Sequence, residues 1–171
     1  NMSKLNKKLI SHILGLLLMF NGFAMLISSG VSYLTNDGVL KEMTLTSLIV
    51  IFLGWFLMML SKKNDRKINK RDAYFIVVLG WLTMVVSGTL PYISTASITS
   101  FSYIVFETMS GYPTTGSTVV YDIEALPKSI IFWRSMTHWL GGMGIIVLAI
   151  AILPLLGIGG MQLFSAEAPG L

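Results

Sequence analysis

Charged side chains are scarce in this sequence of 171 residues: Asp, Glu, Lys and Arg together make up 12%, whereas 54% is hydrophobic. A soluble domain of this size carries about 25% charged residues. Several apolar runs reach the roughly 20 residues that cross a bilayer as a helix. The shortage of charge therefore excludes an ordinary soluble domain and indicates an all-α integral membrane protein.

Cysteine is absent, which excludes disulfides, thiolate metal sites and a thiol nucleophile. The sequence also lacks a His/Asp/Glu cluster with ligand spacing, a Ser–His motif and a Gly-Lys phosphate loop, so it gives little support to a membrane enzyme. His138 shares a helix with Gly141, Gly142 and Gly144, and close helix packing explains these glycines better than a metal site does.

Basic residues are confined to a few places. Residues 62–71 hold six of the twelve, and no Lys or Arg lies between Arg71 and Lys128. Short loops rich in Lys and Arg stay in the cytoplasm. Lysines at positions 4, 7 and 8 fall on the same side after two crossings, so we predict a cytoplasmic N-terminus. A nucleic-acid partner is not expected, since such basic clusters beside membrane helices set topology.

The apolar runs divide the chain into two parts. Residues 1–72 hold two leading membrane helices and the basic loop, and residues 73–171 hold a helix, a re-entrant segment and a returning helix. Asn21, inside the first helix, is expected to form an interhelical hydrogen bond. Pro154, with Gly157, Gly159 and Gly160, should break or kink the last helix. The predicted crossings are residues 9–34, 44–61, 73–93 and 128–153, with a short helix at 97–110.

Residues 107–122 are rich in hydroxyls and glycine, although they lie between two membrane-length runs. Such a loop is costly at membrane depth unless its backbone is buried in protein or lines water. Backbone carbonyls and hydroxyls can replace the water of a permeating cation, and a glycine allows torsions that aim successive carbonyls at one axis. We therefore predict a pore loop with an ion-binding filter, the alternative being a plain polar turn. The predicted filter residues are Thr114, Thr115, Gly116, Ser117 and Thr118.

Four further residues are predicted to assist this filter. Glu107 lies in the short helix, Gly111 follows its end, and both should support the loop; a charge at this depth requires a partner. The C-terminal end of that helix carries partial negative charge, which favours a cation. Asp122 and Glu124 follow the loop and could concentrate cations at its outer mouth.

Three long strings of residues carry a resemblance to a known family. Residues 106–118 (FETMSGYPTTGST) resemble the first pore loop of the Trk/Ktr/HKT superfamily, and residues 134–146 and 153–170 resemble the helix that follows in its bacterial potassium uptake members. Two helices before the first pore unit are also typical of the Trk type. One departure is Pro113, where members usually carry Ser or Thr; proline keeps its carbonyl and lacks the N–H.

The resemblance implies four helix–pore-loop–helix repeats in one polypeptide around one pore. This chain would be the N-terminal portion of a potassium symporter of the bacterial inner membrane and would supply one filter quadrant. The ion would be potassium, bound at Thr114 and Thr115 and by the carbonyls of Gly116 and Ser117. Implied partners are the other three repeats, membrane lipid, a second transporter copy in a homodimer, and a cytosolic nucleotide-binding regulatory subunit. A non-conducting assembly or regulatory fragment of the same fold is the alternative.

The charge pattern makes a testable prediction about topology. Single cysteines introduced at Asn64 and Glu124 of this cysteine-free sequence should react with a membrane-impermeant thiol reagent from opposite sides, with Asn64 on the cytoplasmic side. Labelling of both positions from the same side would contradict the proposed arrangement.

Overall fold

The computed structural model describes residues 6–61 and 70–155, with backbone alone for residue 70 and residues 148–155. This part of the chain is helical, as the composition predicts. Its helices, in chain order, are α1 (Lys7–Thr35), α2 (Leu40–Leu60), α3 (Lys70–Gly88), α4 (Leu90–Ser94), α5 (Phe101–Gly111) and α6 (Lys128–Leu155).

Three stretches of the described chain are long and apolar enough to cross a membrane: α1, α2, and the joint run of α3 and α4 over Arg71–Ser94. The prediction of an all-α, multi-pass membrane protein is therefore confirmed. The 28 residues of α6 extend about 42 Å at 1.5 Å per residue, which is long enough for the predicted fourth crossing. Helix α6 is described past Pro154, whereas Gly157, Gly159 and Gly160 lie outside the described residues.

Two predicted boundaries were wrong by four residues. Helix α2 begins at Leu40 rather than at 44, because Lys41 and Glu42 are good helix formers and extend it beyond the apolar run. The short helix α5 begins at Phe101 rather than at 97. Ser and Thr hydroxyls compete for backbone hydrogen bonds and favour helix ends, and four of the residues at 95–100 carry a hydroxyl.

Helices α1 and α2 form a hairpin whose backbones touch. A Cβ built on Gly15 would lie 2.7 Å from the carbonyl oxygen of Gly54, and a Cβ on Gly54 would lie 2.7 Å from the Gly15 carbonyl oxygen and from the Met19 nitrogen. Small residues allow membrane helices to approach this closely. In a bilayer, helix association is driven by van der Waals packing and not by the hydrophobic effect.

Hydrogen bonds join distant segments at both ends of the bundle. At one end the Asn6 N–H donates to Asp72 Oδ1 over 3.0 Å. This bond joins the residue before α1 to the first turn of α3. At the other end Asp37, between α1 and α2, accepts from the N–H and hydroxyl of Ser129 over 2.9 and 2.7 Å. This carboxylate caps the N-terminus of α6, where negative charge is favourable.

Asp37 also accepts hydrogen bonds from the hydroxyl of Ser32 and from the N–H of Val39. Partial burial raises the pKa of Asp37, but the hydrogen bonds from Ser129, Ser32 and Val39 outweigh burial and lower the pKa below its ordinary value. Because the folded-state pKa is depressed, this stabilisation is present above the unfolded-state pKa and is lost as the pH falls through the folded-state value.

The glycine contacts of the hairpin predict that two matched Gly→Ala substitutions affect the melting temperature differently. Ala in place of Gly gains up to about 1 kcal/mol of helix propensity at an unhindered position. At Gly54 the new methyl would meet backbone atoms at 2.7 Å, and such overpacking costs about 1–3 kcal/mol. Gly54→Ala should therefore lower the melting temperature of the purified full-length protein. Gly30→Ala is the control, because no atom lies within 4 Å of its Cβ position, and it should leave the melting temperature unchanged or raised. A rise in both variants would contradict the close approach.

Candidate functional site

The loop after α5 is exposed along residues 113–118, which we call the polar loop, while the residues on which it is mounted are buried. Glu107 and Tyr112 are 1% and 0% exposed, and Ser110 is 7% exposed. All five predicted filter residues lie in this exposed stretch. The polar loop therefore has one face fixed in the protein and another available for contact.

The backbone of the polar loop is held in an unusual shape. The N–H groups of Thr115 and Gly116 both donate to the Ser110 carbonyl over 3.1 and 3.2 Å, and the Thr114 N–H donates to the Gly111 carbonyl over 2.9 Å. Gly116 has φ +75° and Thr114 has φ +62°. A left-handed conformation was foreseen at the glycine alone, and in a β-branched residue such as Thr114 it is a genuine outlier.

The carbonyl oxygens of the polar loop are not equivalent. Among the described residues no donor contacts the carbonyls of Thr114, Thr115 or Gly116, so both lone pairs of each oxygen are available. The Ser117 carbonyl accepts from the Ser110 hydroxyl over 2.7 Å, and it keeps a second lone pair. Thr118 uses its hydroxyl to donate to Glu107 and to accept from the Val120 N–H. These contacts fix the outgoing arm and leave the first three carbonyls free.

The carboxylate of Glu107 joins the polar loop to α6. Its Oε1 accepts from the Thr118 hydroxyl over 2.5 Å and from the Val119 N–H over 2.7 Å. Its Oε2 pairs with Arg134 Nε over 2.9 Å, with Glu107 fully buried and 17% of the Arg134 side chain exposed. Every contact holds protein to protein, so the geometry gives Glu107 a structural role. Arg134 was not predicted as the partner, although a lone arginine in an apolar helix was an available signal.

Helix α5 and the residue after it lie against α6 at two glycines. A Cβ on Gly111 would lie 2.4 Å from the Thr137 hydroxyl oxygen. On Gly141 it would lie 1.6 Å from the carbonyl oxygen of Tyr112, so no side chain fits there. At Gly142 and Gly144 the nearest atoms are 3.8 Å away, an ordinary contact. Close packing therefore explains Gly141, and the other two glycines do not require it.

His138 lies behind the polar loop. Its Nδ1 is 2.8 Å from the Arg134 carbonyl oxygen, and because a carbonyl only accepts, Nδ1 carries the hydrogen. Its Nε2 lies 3.7 Å from the position that a Cβ on Gly116 would take. The imidazole therefore occupies the space next to Gly116, and within the described ranges no group of His, Asp and Glu side chains is arranged to hold a metal ion.

Asp122 and Glu124 follow the polar loop and are exposed. Asp122 Oδ1 accepts from the N–H groups of Glu124 and Ala125 over 3.1 and 3.3 Å. This carboxylate therefore stabilises a local turn while remaining open to solvent. A role for either residue at the outer mouth stays a prediction.

These features define an all-helical, multi-pass membrane protein that presents a constrained polar loop between α5 and α6. The chain belongs to the TrkH family, since the family model with that name, described as cation transport protein, matches residues 39–170.

Similar proteins are named as transporters. Over 162 residues the chain is 40% identical to the Trk system potassium uptake protein TrkH of Escherichia coli K12, a match that covers 94% of this chain and 34% of that protein. It is 34% identical to the TrkG protein of the same organism over 164 residues, which is 95% of this chain and 34% of TrkG. The crystal structure of the potassium transporter TrkH from Vibrio parahaemolyticus aligns with a TM-score of 0.83 at 38% identity, over 91% of this chain and 34% of that one. The chain thus spans about a third of the length of these relatives.

From the Glu107–Arg134 ion pair we predict a large loss of stability when the charge of Glu107 is removed. Glu107→Gln provides one acceptor oxygen where the carboxylate provides two, so either Arg134 or the outgoing arm of the loop loses its acceptor. Breaking a buried ion pair on one side costs about 3–5 kcal/mol, a figure reduced here by the partial exposure of Arg134. Thermal unfolding of the full-length protein should show a clear decrease for Glu107→Gln.

The control for this prediction is Glu124→Gln, which removes a carboxylate from an exposed position and should leave the melting temperature nearly unchanged. Adding Arg134→Gln to Glu107→Gln should recover part of the loss, because no uncompensated charge then remains buried. Equal melting temperatures for Glu107→Gln and Glu124→Gln would refute the structural role.

Proposed function

We propose that this chain forms one quadrant of the selectivity filter of a potassium uptake protein in the bacterial cytoplasmic membrane. The carbonyls of Thr114, Thr115, Gly116 and Ser117 would replace part of the hydration shell of the ion, with Thr118 holding the end of the strip. Potassium is the substrate that the names of the TrkH and TrkG relatives support. The N-terminus and the basic loop would face the cytoplasm.

One observation carries this proposal: an exposed loop of five consecutive filter candidates holds two left-handed residues, one of them a threonine. Such strain persists only where the surrounding structure over-determines it, and it clusters at functional sites. Here it is held by bonds to Ser110 and Gly111 on the buried side, while no donor among the described residues contacts the Thr114, Thr115 and Gly116 carbonyls. A plain polar turn, such as the one at residues 36–38, places its positive φ at asparagine and glycine, and it needs neither a left-handed threonine nor a buried carboxylate behind it.

Pro113 fits this arrangement. It opens the loop at an exposed position, and the three N–H groups that follow it all return to carbonyls of the preceding helix. The fixed φ of proline favours a sharp change of direction after Tyr112. The missing N–H is therefore compatible with a filter at this position.

A single strip of carbonyls cannot surround an ion, so the proposal includes three further pore repeats in the same polypeptide. A homodimer of the full transporter and a cytosolic nucleotide-binding regulatory subunit complete the proposed assembly, and ion-coupled symport is the proposed mode of uptake. These partners and this mode of uptake are what the resemblance to the Trk/Ktr/HKT superfamily implies, and the comparisons support cation transport in a Trk system. The alternative, a non-conducting assembly fragment, needs no free carbonyls at the exposed face.

Gly116→Ser in the full-length transporter tests the filter assignment, with Gly38→Ser as a matched control. Both glycines have positive φ, +75° and +82°, so a side chain adds similar strain, about 1–3 kcal/mol. At Gly116 the strain turns a proposed ligand, whereas at Gly38 it acts on the turn between α1 and α2, outside the polar loop. We expect roughly a tenfold or greater rise in the KM for potassium at Gly116, the equivalent of about 1.4 kcal/mol.

The measurement is potassium uptake, and its inhibition by sodium, in cells that lack other uptake systems, at equal membrane levels of the two variants. Gly38→Ser should retain the parental KM and sodium sensitivity. Equal, small effects of the two substitutions would remove the filter assignment and leave the non-conducting alternative.

A further inference from the structure

Tyr112 is the residue from which the polar loop departs, and it is enclosed on every side. It is 0% exposed. Its carbonyl lies directly against Gly141 of α6, and its ring lies along Gly88 of α3, where a Cβ would be 2.6 Å from the ring atom Cε2. Packing therefore holds the backbone of Tyr112 against α6 and limits where its ring can lie beside α3.

The hydroxyl of Tyr112 is held by a helix that is remote in the sequence. It donates to Asn21 Oδ1 over 2.7 Å, across a separation of 91 residues. Asn21 Nδ2 in turn donates to the Ser87 hydroxyl oxygen over 2.7 Å, and that hydroxyl donates to the Thr83 carbonyl. Asn21 is 0% exposed and Ser87 is 4% exposed, so water does not replace these bonds.

This network reaches the polar loop through a short and stiff connection. Pro113 follows Tyr112 directly and has a fixed φ, and Thr114, at φ +62°, comes next. The Thr114 N–H returns to the carbonyl of Gly111, the residue just before Tyr112. A displacement of Tyr112 must therefore move the first free carbonyls of the loop.

We propose that Asn21 of the leading helix α1 is a positioning residue for ion selection, acting through the Tyr112 hydroxyl. The inference rests on the proposed function of the polar loop and adds a residue that lies outside the pore repeat itself. Helix α1 thereby serves selectivity as well as membrane anchoring. Asn21 does not contact the ion; it fixes the origin of the carbonyl strip.

The test uses the full-length transporter with Tyr112→Phe, Asn21→Leu and the double variant. Each single variant leaves a buried polar atom without its partner, whereas the double variant removes both partners. Ser87 keeps its bond to Thr83 in every case. The control is Ser28→Ala, which removes an equally buried hydroxyl whose hydrogen bond stays within α1. The readouts are the KM for potassium, the inhibition constant for sodium and the melting temperature.

We expect the preference for potassium over sodium to fall roughly tenfold in both single variants, a size consistent with one lost buried hydrogen bond. The double variant should regain most of the melting temperature, because it leaves no unpaired polar group. It should keep the reduced preference for potassium, because the hydrogen bond between Tyr112 and Asn21 is still absent. The two selectivity losses should therefore not add. Ser28→Ala should retain the parental preference.

Selectivity that recovers together with stability in the double variant would reduce Asn21 to a merely structural residue and overturn the inference. The inference would also be overturned if Tyr112→Phe kept the same preference for potassium as Ser28→Ala, provided that Gly116→Ser reduces that preference. Failure of the proposed function gives a different result: Gly116→Ser is then silent as well, and the inference falls with the filter.

Discussion

The shape of the polar loop depends on the contacts of one buried carboxylate. Glu107 belongs to α5, yet its oxygens accept from the outgoing arm of the polar loop and from Arg134 of α6. Hydrogen bonds to an ionised acceptor are stronger than neutral ones. With Glu107 in place, the loop is closed at its far end, and its near end is closed by Tyr112 against Gly141. The strained segment is therefore held at both of its ends.

The residues that hold the polar loop and Tyr112 in place come from different parts of the chain. Arg134 and Gly141 belong to the helix that follows the polar loop, whereas Asn21 belongs to the first helix. The leading hairpin is therefore not a separate membrane anchor attached to the α5–loop–α6 unit. It supplies a hydrogen-bond partner to the residue that starts the loop and a cap to the start of α6. Removing the hairpin would leave buried polar groups of the remaining helices, such as the Tyr112 hydroxyl, without their hydrogen-bond partners.

The sequence predicts the helices well because long apolar runs in a charge-poor chain have few other structures available. It also predicts the left-handed glycine at 116 and the interhelical hydrogen bond of Asn21, since both follow from residue type. It does not identify Tyr112 as the partner of Asn21, because 91 residues separate them and the pairing depends on how α1, α3 and α5 pack. The strain at Thr114 is equally hidden, because threonine by itself disfavours that conformation.

The cap that Asp37 places on α6 also bears on the order in which the chain is assembled. Synthesis runs from the N-terminus, so Asp37 reaches the membrane surface 92 residues before Ser129. The α1–α2 hairpin, closed by backbone contact at Gly15 and Gly54, can exist before α6 is made. The Asp37 carboxylate is then present at the membrane surface before the unpaired N-terminal amides of α6 are synthesised. In this sense the hairpin is a template, because the last helix of the unit docks onto a site that the first two have prepared.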